Sequence, residues 1–238
     1  MPGENLTREE ASQRAQRLSV ESYLVQLDVT TDDKTFQSKT TIRFGCSEAG
    51  YETFIDAQTA SVEKIVLNGE NLDPKVFSDN TRITLPALKS ENELYIEATG
   101  KYSNSGEGLH RFVDPVDNEA YLYTQFEVPD SRRMFPVFEQ PDLKATFEFH
   151  ITAPSYWKVI SNSPTPEPEK LDKTKSLWRF APTPRVSSYI TALIAGPYTE
   201  WRDELTSSDG RVIPLGVFCR ESLAQYMDAD YIFQKTKD

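Results

Sequence analysis

Tyr121-Leu122-Tyr123-Thr124-Gln125-Phe126-Glu127-Val128-Pro129 alternates in the way a half-buried strand does. Leu122, Thr124, Phe126 and Val128 fall on one face, which suits a core. Tyr121, Tyr123, Gln125 and Glu127 fall on the other, so two phenols lead up to an amide and a carboxylate. Pro129 has no N–H to donate, so pairing should stop there. An amide oxygen beside a carboxylate at a strand end is a pair of acceptors suited to a cation such as an ammonium. A solvated strand end with an idle glutamate shows the same alternation, and Tyr121 and Tyr123 fit a pocket rim or plain packing.

Directly downstream runs Arg132-Arg133-Met134-Phe135-Pro136-Val137-Phe138-Glu139-Gln140-Pro141-Asp142-Leu143-Lys144-Ala145-Thr146-Phe147. Prolines stiffen this backbone and place cations close to carboxylates. Arg132, Arg133, Asp142 and Lys144 are therefore expected to act as scaffold, as ion pairs and caps that hold the segment bearing Glu127.

Gln-x-Glu followed by Arg-Arg-x-Phe-Pro-x-Phe-x-x-Pro-x-x-Lys-Ala-x-Phe resembles the signature of the N-terminal domain of the aminopeptidase N family of zinc metallopeptidases. The resemblance is close over residues 124–147 and loose over residues 1–200. Val137 stands where a Cys is frequent in that family, and Glu139-Gln140 replaces an Asp-Glu pair. The resemblance implies that Glu127 is the anionic partner, and Gln125 an oxygen acceptor, for the free α-ammonium of a peptide substrate. It also implies a catalytic domain after this region carrying the single zinc ion and the general base, so that this chain alone is inactive.

Outside the signature, the strand pattern points to a mainly β fold: a large saddle- or sandwich-like antiparallel domain. Thr7-Arg8-Glu9-Glu10 reads as a capping box opening a short helix to about Leu18. Tyr23, Val25, Leu27 and Val29 form one apolar row, and Phe36, Ser38, Thr40, Ile42 and Phe44 the next. Asn68-Gly69 between apolar runs signals a tight hairpin. Further strands are expected at 81–85, 93–98, 109–113, 145–151, 158–160, 176–180 and 188–195. Gly196-Pro197 marks a boundary, giving a β domain over 1–197. Residues 198–238 then read as a hairpin and a helix over 221–237, with Leu223, Tyr226, Met227 and Phe233 as its apolar stripe, opening a truncated second domain.

Composition narrows the chemistry. A net charge of −11, from 37 acidic and 26 basic residues, argues against a nucleic-acid partner. No apolar run is long enough for a membrane span, and Met1-Pro2-Gly3-Glu4-Asn5 lacks the basic-then-apolar pattern of a signal peptide. Cys46 and Cys219, far apart, read as reduced thiols with a disulfide left open, and the cytoplasm is the expected address. The two histidines, His110 and His150, sit in no H-E-x-x-H context, so no metal ligand or catalytic residue is expected in this chain. The Gly-rich stretch at Gly106 and Gly108 precedes no helix and is not a phosphate loop. A stand-alone β-sandwich that binds protein or glycan, or a non-catalytic scaffold of the same fold, is the alternative function.

Overall fold

The computed structural model describes residues 5–238; residues 1–4, most of the stretch read above against a leader, lie outside it. The chain opens with α1 (Arg8–Arg17), β1 (Leu18–Asp28), β2 (Thr35–Cys46), β3 (Thr53–Asp56), β4 (Ser61–Leu67) and β5 (Glu70–Leu72). Then come α2 (Pro74–Phe77), β6 (Arg82–Leu85), β7 (Glu91–Lys101), β8 (Gly108–Val113) and β9 (Ala120–Gln125). A 3-10 turn (Ser131–Arg133) precedes β10 (Thr146–Pro154), β11 (Lys158–Ser161), β12 (Glu169–Lys170) and β13 (Lys175–Arg179). A second 3-10 turn (Ser188–Ile190) leads to β14 (Leu193–Gly196), β15 (Tyr198–Thr206) and β16 (Val212–Arg220). A third 3-10 turn (Glu221–Tyr226) and α3 (Ala229–Lys237) complete it.

The main sheet has eight strands in the order β12-β13-β10-β1-β2-β7-β4-β5, and a four-stranded sheet runs β11-β14-β9-β8. Both contribute to one hydrophobic core, in which Val25, Phe36, Ile42, Leu94 and Phe147 from the large sheet join Leu109, Leu122 and Leu193 from the small one. Alternation explains the central strands: Tyr23, Val25, Leu27 and Val29 are buried, as are Phe36, Ser38, Thr40, Ile42 and Phe44. Asn68 and Gly69 both take positive φ, 54° and 84°, as a two-residue turn between β4 and β5 requires. The capping box is formed: the Glu10 amide donates to Thr7 Oγ1 and the Thr7 amide to Glu10 Oε2.

The mainly antiparallel β architecture holds one parallel pair, β1 with β10, Tyr23 opposite Phe147. Three expectations need correction. Residues 188–195 do not form one strand; a 3-10 turn occupies the first part, and β14 begins only at Leu193. Residues 221–237 do not form one helix either, since an extended Met227 separates the third 3-10 turn from α3. Of the supposed stripe, Phe233 is buried and Met227 half-buried, while Leu223 and Tyr226 are exposed. Finally, Asp142 and Lys144 are exposed and form no ion pair among the described residues; Lys144 contributes its carbonyl oxygen, which accepts from Arg185.

The remaining scaffold is held from inside. Asp56, buried, meets the Arg14 guanidinium at 3.1 Å and accepts from the Glu139 amide at 3.2 Å. Arg14 Nε donates to Gln140 Oε1, and Gln140 Nε2 donates back to the Ala11 carbonyl of α1. Helix α1 is thereby tied to the middle of the signature segment.

Candidate functional site

Strand β9 runs between β8 and β14, with His110 opposite Tyr123 and Ile194 opposite Tyr123 on the other side. Thr124 Oγ1 accepts from the Leu193 amide and fixes that register. Pairing stops at Gln125, and a hydrogen bond from the Asp130 amide to the Phe126 carbonyl turns the chain over residues 126–130. Strand alternation therefore lapses before Val128. Val128 was expected in the core and is 45% exposed, whereas Phe126 is buried and packs edge-on to Phe135.

Gln125 and Glu127 both lie exposed at this strand end. Gln125 Oε1 accepts from the Glu127 amide at 2.7 Å, which fixes the side-chain oxygen and leaves it a second lone pair. The Glu127 carboxylate has no hydrogen-bond or ion-pair partner among the described residues. One turn further on, Asp130 Oδ1 holds Arg133 Nε at 2.6 Å, and the same guanidinium reaches Glu107 at 3.4 Å. Arg133 is thus the scaffold cation that was expected. Arg132 is buried, and its side chain donates to Asn5 Oδ1. Glu139 supports the turn from below: it accepts from Ser131 Oγ, the Arg132 amide and Ser188 Oγ.

Tyr123 and Tyr121 differ in environment. Tyr123 is 39% exposed and stacks on His110 at 4.6 Å. Tyr121 is buried beneath Tyr198, its hydroxyl donating to Asp117 Oδ2 and accepting from the Glu221 amide. Burial, reinforced by the Asp117 carboxylate, pushes the Tyr121 phenol well above its usual range. With Phe112, Tyr198, Cys219, Arg220 and Leu223, the two tyrosines line an open, mostly apolar cavity of ≈ 440 Å³. The hairpin β15–β16 and the turn after it form one wall of this cavity. They are clamped by Arg220 and Ser222, which both donate to Asp114 Oδ2, at 2.8 and 2.6 Å.

Among the described residues no group of three or more His, Cys, Asp or Glu is placed to hold a metal ion. His110 Nδ1 accepts from the Gly106 amide, and His150 lies between Glu148 and Arg179. These donor sets do not fit a zinc centre, which needs several convergent ligands. Both cysteines are free and buried. No described helix is long and apolar enough to cross a membrane.

A family model for the peptidase M1 N-terminal domain matches residues 19–190. The chain belongs to that family. An aminopeptidase N of Streptomyces lividans is 54% identical over 240 residues, covering 100% of this chain and 27% of its own length. A probable aminopeptidase 1 of Saccharolobus solfataricus is 31% identical over 176 residues, covering 64% of this chain and 22% of its own. A crystal structure of Legionella pneumophila aminopeptidase A in complex with aspartic acid superposes with a TM-score of 0.77 at 16% identity. That match covers 89% of this chain and 25% of the other, and shows the shared fold. The chain thus spans about a quarter of the relatives' length.

For this M1 domain, the residues that sequence reasoning missed around the strand end are His110, Glu107 and Asp130. His110 was set aside as a strand residue; only the β8–β9 register, which puts it opposite Tyr123, reveals its stack. The docking of the Gly106–Gly108 stretch on His110 was not visible in composition.

Proposed function

We propose that this M1 domain supplies the wall of an aminopeptidase active site that recognises the free N-terminus of a peptide. The observation that carries this reading is the Glu127 carboxylate, exposed and without a partner among the described residues, beside the fixed Gln125 oxygen. Both groups only accept hydrogen bonds at those oxygens, so an ammonium satisfies them and a peptide-bond nitrogen, with one hydrogen, does not. Leaving them unpaired against the wrong substrate supplies the discrimination. Tyr123, on the same face of β9, would form the rim toward the apolar cavity.

Zinc and the general base would be contributed by the remainder of a longer enzyme, since the described residues of this chain do not fit the metal. The two free thiols favour a reducing compartment, and the cytoplasm is the proposed address. In the longer enzyme Glu127→Ala should lower kcat/KM for aminoacyl substrates roughly ten- to a hundred-fold, the value of one charge-assisted contact of about 1.5–3 kcal/mol. Unchanged kcat/KM would remove Glu127 from recognition.

A further inference from the structure

The imidazole of His110 is buried on β8 and makes two kinds of contact at once. Its ring stacks on Tyr123 with planes 29° apart. Its Nδ1 accepts from the Gly106 amide at 2.9 Å, which requires a lone pair there and so places the proton of the neutral ring on Nε2. The loop that donates this bond folds back along β8, with the Ser103 amide on the Leu109 carbonyl and the Arg111 amide on the Ser103 carbonyl. It carries Glu107, which meets Arg133, which in turn is held by Asp130 at the close of the turn bearing Glu127. Gly108, at φ 64°, has no Cβ, and one built there would lie 2.8 Å from Arg133 Cβ. Loop, stack and turn thus enclose the end of β9.

We propose that neutral His110 is a positioning residue for the Gln125–Glu127 end of β9, and that its protonation releases that end. The functional consequence rests on the reading of this end as the ammonium site. A proton on Nδ1 turns the acceptor into a donor facing the Gly106 N–H, so the bond is lost and the loop loses its anchor. The groups that face the ring are Tyr123 from β9 and the Gly106 amide from the loop. Glu107, Asp130 and Arg133 stand one contact beyond, and Arg111 is its charged neighbour on β8. No charged side chain among the described residues hydrogen-bonds to the ring. Burial holds the His110 pKa below the ordinary histidine value, which keeps the ring neutral near pH 7.

The chain has two histidines, so His150→Gln leaves a single imidazole to follow by NMR between about pH 8 and pH 5. The Gly106, Tyr123, Gln125 and Glu127 amides should shift with the His110 midpoint, and Gly106 exchange protection should fall by at least about tenfold below it. His110→Asn, whose amide oxygen approximates Nδ1, should keep Gly106 protected at high pH and abolish the response. In the longer enzyme the same variant should remove a KM-borne part of the acid limb of kcat/KM. Amides that stay fixed while His110 titrates, or the same response in His110→Asn, would overturn the proposal. An inert Glu127→Ala alongside a coupled titration would instead sink the ammonium reading and leave the clamp standing.

Discussion

Glu139 is a carboxylate taken out of water to hold a turn. Burial raises its pKa, although hydroxyls of Ser131 and Ser188 and the Arg132 amide all donate to it and pull the other way. A raised folded pKa means that the folded state binds the proton more tightly. Its stabilising contribution is therefore present below the unfolded value of about 4.3 and is lost as pH rises through the folded one. Glu139→Gln should flatten that part of the stability profile. Glu139→Ala strands three donors and should cost about 1–3 kcal/mol, measured as the urea midpoint at pH 7. Single residues were the least legible scale. Glu139 stood out in the sequence only as a departure from an Asp-Glu pair, and nothing local shows that Ser188, 49 positions away, completes its partners. The exposure of Gln125 was legible because strand alternation acts over a few residues, whereas that of Glu127 comes from the turn that follows β9.

Helix α1 shows what periodicity hides at the scale of an element. The helix is rich in Arg, Gln and Glu, yet Arg14 is 1% exposed. The cause is non-local: its guanidinium meets Asp56 at 3.1 Å, lies over the Phe54 ring at 4.8 Å and donates to Gln140. Removing one partner of such a buried pair leaves the other charge uncompensated. Arg14→Ala should cost about 3–5 kcal/mol in chemical denaturation, and Arg14→Lys should recover little because one ammonium cannot serve both acceptors. A cost within error of zero would contradict the anchoring role. In β7 the fit is steric: a Cβ at Gly100 would lie 2.2 Å from the Phe36 ring. Gly100→Ala should destabilise by about 1–3 kcal/mol through overpacking. Central strands were legible because one face is buried and period two shows it. The parallel β1–β10 pairing was not, since residues over a hundred positions apart leave no local trace of their register.

At the scale of the whole molecule, residues 198–238 meet the rest of the chain where β9 begins. Arg220, Ser222 and Glu221 reach Asp114 and Tyr121, and burial raises the Tyr198 phenol to about 12. Beyond that contact Tyr226, Tyr231 and Ile232 are exposed. Since no described residues converge on a metal, adding zinc or EDTA should leave the melting temperature of this chain unchanged, and aminoacyl fluorogenic substrates should show no turnover. A zinc-dependent rise of several degrees would contradict this. The most direct test of the account compares an aminoacyl amide with its des-amino analogue in the longer enzyme, wild type against Glu127→Gln. If Glu127 reads the ammonium, the kcat/KM ratio between the two substrates should fall roughly ten- to a hundred-fold in the variant; an unchanged ratio would show that the ammonium is recognised elsewhere.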